Sequence, residues 1–183
     1  MALNRNWVPM GSKIVRGQGD RHGGDGAEAD SSGGPMPGRE LEVDWPTLLV
    51  EAGDSETLAE LRNNMKWWFS ASDNQVKIVL LAKFDRVQDH IILEKWIEAP
   101  APSQPGASTL IPDCAQVITI TRDPGITNTD PLQFDHTSYI VSSSGALRLE
   151  FDHLFLRQPA AKGEGDIIIS IQDLQAYTVN FWR

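Results

Sequence analysis

One stretch constrains the fold of this chain more than any other. From Val76 to Phe84 the residues alternate, with Val76, Ile78, Leu80, Ala82 and Phe84 at one parity and Lys77, Val79, Leu81 and Lys83 at the other. A period of two is the signature of a β-strand. Upstream, Thr47-Leu48-Leu49-Val50-Glu51 is a short apolar, β-prone run closed by Gly53, which reads as a buried strand. Between the two, Leu58, Leu61, Met65 and Trp68 recur at i, i+3, i+7 and i+10, and Phe69 widens the stripe. That spacing predicts a helix, capped by Asp54 or Ser55 and ending near Ser70 to Asn74. Strand, helix and strand form a βαβ unit with a right-handed crossover and two parallel strands.

The rest of the chain adds mostly extended segments. His90–Ile97 predicts a strand joined to its predecessor by a short polar turn, and residues 99–113, with Pro100, Pro102, Pro105, Gly106 and Pro112, predict a loop. Gln116–Arg122, Tyr139–Val141, Ala146–Phe151 and Asp166–Ile169 read as extended, and a terminal helix is expected from Ser170 or Ile171 to about Phe181. The class is mixed α/β with a central sheet. Nine of the fifteen glycines lie between Gly11 and Gly38 among acidic and serine residues, without a hydrophobic period. Residues 1–38 are therefore expected to be a loosely ordered, disordered-like segment, and 39–183 a single domain.

Charge and cysteine content narrow the function classes. The 183 residues carry 16 basic and 25 acidic side chains, a net charge of −9, so any nucleic-acid contact must come from a local patch. Cys114 is the sole cysteine, which removes a disulfide framework and a thiolate zinc cluster and suits an intracellular protein of cytoplasm or nucleus. The longest strictly apolar run, Ile78–Ala82, is far short of the ~20 residues of a membrane helix. Gly17-Gln18-Gly19 has His22 where a third glycine would complete a dinucleotide fingerprint, and no phosphate-loop, HExxH or GxSxG pattern occurs. His22, His90, His136 and His153 are scattered without metal-ligand spacing.

Glu51 stands out as a carboxylate ending an apolar strand before a helix, because open α/β folds build their sites at the carboxyl ends of strands. On position alone the plain reading is a side chain that leaves the sheet and becomes solvated. Trp68 falls on the apolar stripe and is expected to pack on the sheet, whereas Trp67 is the indole available at the surface for base stacking.

Several blocks carry a resemblance. They are Ala29-Asp30-Ser31-Ser32, Trp45-Pro46-Thr47-Leu48-Leu49-Val50-Glu51-Ala52-Gly53, Ser55-Glu56, Trp67-Trp68, and Val76-Lys77-Ile78-Val79-Leu80-Leu81, with Glu94-Lys95-Trp96 and Leu154-Phe155-Leu156-Arg157 downstream. Together they resemble a group of uncharacterised fungal proteins that is similar in turn to the restriction-endonuclease-like PD-(D/E)XK superfamily. The likeness spans roughly residues 28–183. It implies a restriction-endonuclease-like mixed central sheet containing the βαβ unit, with extra C-terminal strands and a terminal helix.

The resemblance also implies a chemistry. Asp30 and Glu51 match the aspartate and the strand glutamate that jointly hold Mg²⁺, and a lysine completes the catalytic set by orienting the attacking water. Hard oxygen ligands suit magnesium, and the ion lowers the pKa of bound water. The superfamily's lysine would fall at position 53, which is Gly53 here, so Lys77 is the first candidate to replace it, and Lys66 the second. Ala29 stands where the motif has proline, and Asp44 is a rival first carboxylate. The implied function is a Mg²⁺-dependent nuclease hydrolysing phosphodiester bonds of DNA or RNA, with a homodimer as one arrangement. The second reading is a catalytically silent protein that keeps the fold for binding or assembly.

Overall fold

The structure, a computed structural model, describes residues 6–12, 14–16, 26–41, 43–101, 109–128, 130–142 and 145–182. In chain order its first strands are β1 (Trp7–Pro9), β2 (Ile14–Arg16), β3 (Gly26–Glu28), β4 (Ser31–Pro35) and β5 (Leu48–Gly53). Helix α1 (Leu58–Ser72) follows, then β6 (Ile78–Asp85), β7 (His90–Pro100), β8 (Leu110–Arg122), β9 (Tyr139–Val141) and β10 (Leu147–Leu149). The chain closes through α2 (Phe151–Phe155), β11 (Ile167–Ile169) and α3 (Ile171–Trp182). Among the described residues, seven strands form one mixed sheet in the order β1-β4-β5-β6-β7-β8-β9. β5 and β6 are parallel, as the βαβ reading requires, and the other neighbours are antiparallel.

The alternation along β6 builds two cores. Val79 and Leu81 pack with Leu49 and the α1 residues Leu61, Met65, Trp68 and Phe69 on one face. Ile78, Ala82 and Phe84 face the other side, against Phe151 and Leu154 of α2 and Leu174 and Val179 of α3. One helix on one face and two on the other make a three-layer α/β arrangement, because a sheet that is apolar on both sides must be covered twice. No helix among the described residues is long and apolar enough to cross a membrane.

Three local expectations are corrected. Loose order through residue 38 does not describe residues 31–35, since β4 pairs with both β1 and β5 and its Ser32 to Pro35 are buried. The glycines there are packing devices: a Cβ on Gly33 would lie 2.6 Å from the Trp7 ring, so only glycine lets the indole rest on the strand. Residues 1–5 and 17–25, including His22, lie outside the described residues. The proline-rich stretch 99–113 is also not all loop, because β7 runs on to Pro100 and pairs with β8 from Leu110. Pro100 and Pro112 lie in the part of the β7–β8 pair that neither β6 nor β9 reaches, where a missing donor is tolerated. Finally, α1 is capped by Thr57 rather than Asp54 or Ser55: its hydroxyl accepts from the Glu60 N–H at 3.2 Å and the Glu60 carboxylate accepts from the Thr57 N–H at 2.7 Å.

Candidate functional site

Glu51 sits near the carboxyl end of β5, on the face covered by α1, and it is not solvated: it is 7 % exposed. Trp68, one α1 stripe residue, donates its indole N–H to Glu51 Oε1 at 2.5 Å. The antiparallel register that pairs Ser31 with Val50 carries Asp30 to the level of Glu51. There the exposed Asp30 Oδ2 accepts a hydrogen bond from the Ala52 N–H at 2.7 Å. Burial of the Glu51 carboxyl, partly offset by the Trp68 donor and reinforced by the negative charges of Asp30 and Glu56, pushes its pKa up to about 7.

A second buried carboxylate on the same face gives the comparison that matters. Leu81 of β6 lies between Glu51 and Glu94 in the register of the sheet. Glu94, 1 % exposed, is held by Arg62 of α1 through Nε at 3.0 Å and Nη2 at 2.5 Å, and Trp96 Nε1 donates to it at 2.8 Å. Glu94 therefore has its cation built in. Among the described residues no cation pairs with Glu51, whose donor is a neutral indole. One helix thus pins two buried carboxylates, neutralising one and leaving the other without a counter-charge.

The lysine expected from the resemblance is not where it was sought. Lys77 precedes β6, its N–H bonds to the Thr47 carbonyl, and its Nζ donates to the Asn74 carbonyl. Glu51 pairs with Leu81, four residues further along, so Lys77 lies about 13 Å away along the strand direction, at the opposite end. Lys66 is exposed on α1. Asp44 is used in a turn before β5, where its Oδ2 accepts from the Leu41 N–H at 2.8 Å. The structure brings Asp30 to Glu51 and leaves Lys77 and Asp44 elsewhere.

A cation that does lie at the Glu51 end of the sheet is Lys83, which sequence reasoning assigned no role. It pairs with Gly53 in the parallel register, on the face that Glu51 shares, and its Nζ donates to the Asp54 carbonyl at 2.5 Å. Arg86 pairs with the Asp54 carboxylate at 2.7 Å. Gly53 leaves little room for a side chain: a Cβ would lie 3.1 Å from Leu61 Cδ1 and 3.2 Å from Glu56 Cβ, so both neighbours would have to give by a few tenths of an ångström. The start of α1 presses on the end of β5, and a basic side chain reaches this end from the neighbouring strand instead.

A cleft of about 440 Å³ opens beside Glu51, walled by Asn63, Asn64, Trp67 and Trp68 of α1 and by the β3 segment with Glu28. A larger cleft of about 620 Å³ lies around Lys95, Gln116, Arg148 and Glu150. Its cations are already paired, Lys95 with Glu150 at 2.6 Å and Arg148 with Asp166. Of these two clefts, the one at Glu51 combines free volume with a buried carboxylate that has no cation paired to it among the described residues.

The donor set at Glu51 suits a hard divalent ion. Among the described residues no group of three or more His, Cys, Asp or Glu side chains converges to hold a metal, so the protein would offer the Asp30 and Glu51 oxygens alone. Magnesium is commonly held by one or two carboxylates, with waters and substrate oxygens filling its octahedron. No protein family, curated protein or solved structure compared with the chain matches it.

Proposed function

We propose that this protein is a Mg²⁺-dependent phosphodiesterase of restriction-endonuclease-like type, acting on DNA or RNA, with Asp30 and Glu51 as the metal-holding carboxylates. The observation that carries this reading is the unpaired buried Glu51 beside Asp30 at the carboxyl end of parallel strands. A carboxylate held out of water next to two other acids is unfavourable until a cation arrives. A bound Mg²⁺ would supply that charge, polarise the phosphoryl oxygens and acidify a water. The chain's own contribution is orientation. Trp68 fixes one Glu51 oxygen, and the Ala52 N–H fixes one Asp30 oxygen, which leaves the other oxygen of each carboxylate for the ion. Lys83, rather than Lys77, is the cation that can turn from the Asp54 carbonyl toward a scissile phosphate.

The test begins with binding rather than turnover. Titration calorimetry with Mg²⁺ and with Mn²⁺ on the intact chain, Asp30→Asn and Glu51→Gln should show one site that both substitutions abolish. Binding should release a proton from Glu51 near neutral pH, read as a dependence of the heat on the buffer's ionisation enthalpy. Cleavage of single- and double-stranded substrates follows, and Lys83→Met should cost more turnover than Lys77→Met while leaving metal affinity in place. Absence of metal binding in the intact chain would overturn the reading in favour of the catalytically silent scaffold.

A further inference from the structure

The cleft beside Glu51 has a chemistry that the metal reading does not use. Its α1 wall presents two indoles, Trp67 and Trp68, and two adjacent carboxamides, Asn63 and Asn64, next to the carboxylate. Trp67 is half-buried and braced: its ring meets Trp68 edge-on with centroids 5.0 Å apart and interplanar angle 81°, and Trp45 at 6.4 Å and 48°. Both bracing indoles are 1 % exposed, so Trp67 is held in place by the core before any ligand arrives. A preorganised aromatic wall costs little ordering entropy on binding. The two carboxamides each carry a donor and an acceptor, the pairing that reads a base edge.

Resting on the phosphodiesterase reading, we infer that this cleft receives one unpaired nucleobase stacked on Trp67, so that the substrate class is single-stranded nucleic acid rather than intact duplex. The volume of about 440 Å³ lies toward the lower part of the range for small-molecule sites and suits one ring system with its sugar. A base inside a duplex cannot reach such a cleft without leaving the stack. Charge argues the same way. Among the described residues, the cleft walls include Glu28 and Glu51 and no basic side chain. The whole chain carries 25 acidic against 16 basic residues. A duplex held by its phosphates needs a basic track, whereas a single strand can be held by stacking with the metal neutralising one phosphate.

The experiment measures fluorescence anisotropy of a labelled twelve-nucleotide single strand and of its duplex, with Ca²⁺ replacing Mg²⁺, on the intact chain and on Trp67→Ala, Trp67→Phe and Asn63→Ala/Asn64→Ala. The single strand should bind at least about tenfold tighter than the duplex, and Trp67→Ala should weaken it roughly ten- to hundredfold. Trp67→Phe, which keeps a stacking ring, should retain most of the affinity and excludes loss of fold as the cause. The double asparagine variant should change the preference among homopolymers more than the affinity for the best one. Equal binding of strand and duplex, or single-strand affinity unchanged in Trp67→Ala, overturns the inference even where Mg²⁺-dependent cleavage depends on Glu51. Trp67-dependent single-strand binding without any cleavage upholds the base cleft and removes the phosphodiesterase reading instead. Binding of choline that displaces no oligonucleotide, with none bound directly, overturns the inference and assigns the cleft to an organic cation.

Discussion

At Glu51 the cost of an ionised carboxylate in a closed site can be followed with pH. Its pKa in the fold is pushed up to about 7 from 4.5. Between those values the folded state keeps a proton that the unfolded chain has released, so stability falls as pH rises through the window and stays lowered above it. Gln at this position keeps a carbonyl oxygen for the Trp68 indole and carries no charge. Glu51→Gln is therefore expected to be more stable than the parent by about 2 kcal/mol near pH 8, with no difference near pH 4. Urea unfolding at both pH values measures this, and a parent that is the more stable of the two near pH 8 would refute it. At Glu94 the matter is the built-in cation. Arg62→Met leaves that buried carboxylate without its cation and should cost about 3 kcal/mol. Adding Glu94→Gln should recover part of the loss in a double-mutant cycle.

Helix α1 is the element that organises the site, and its packing was more legible than its ends. The stripe Leu61, Met65, Trp68 and Phe69 is the buried face that the sequence spacing predicts. Its start is harder to read because Asp54, Ser55 and Thr57 are all capping residue types in one short run. The deciding signal is Thr57 with Glu60 three residues on, while Asp54 is occupied by Arg86. Thr57→Ala should cost about 1 kcal/mol of stability by thermal or urea unfolding. Gly53 marks the other constraint on α1. Restoring a lysine there, Gly53→Lys, forces a side chain into Leu61 and Glu56 and should destabilise by roughly 1–3 kcal/mol rather than improve any activity. An unchanged melting temperature in that variant would mean the helix start yields.

Across the whole molecule, what the sequence could not reveal is register. Local pattern finds β5, α1 and β6, yet which of Lys77 and Lys83 lies at the Glu51 end of the sheet depends on how two strands separated by a helix align, which no local spacing encodes. The pairing of Leu48 with Ile78 decides it, setting Gly53 beside Lys83. The order of β4 was hidden for a related reason, since its glycines become structural only once Trp7 is brought back onto them. A metal at Asp30 and Glu51 would act on global stability through mass action, and the proton on Glu51 competes with it. The rise in melting temperature with saturating Mg²⁺ should be larger near pH 8 than near pH 6, a difference that Glu51→Gln removes.

β6 is flanked by β5 and β7 and covered on both faces, while β1 and β9 lie on the margins of the same sheet. Backbone amides in β6 should therefore exchange with deuterium only when the entire chain unfolds, and those of β1 and β9 through small local openings. The sheet thus contains its own graded clock. A ligand that engages only the Glu51 cleft would slow the marginal amides little, while slowing those of β6 by the full factor of its binding.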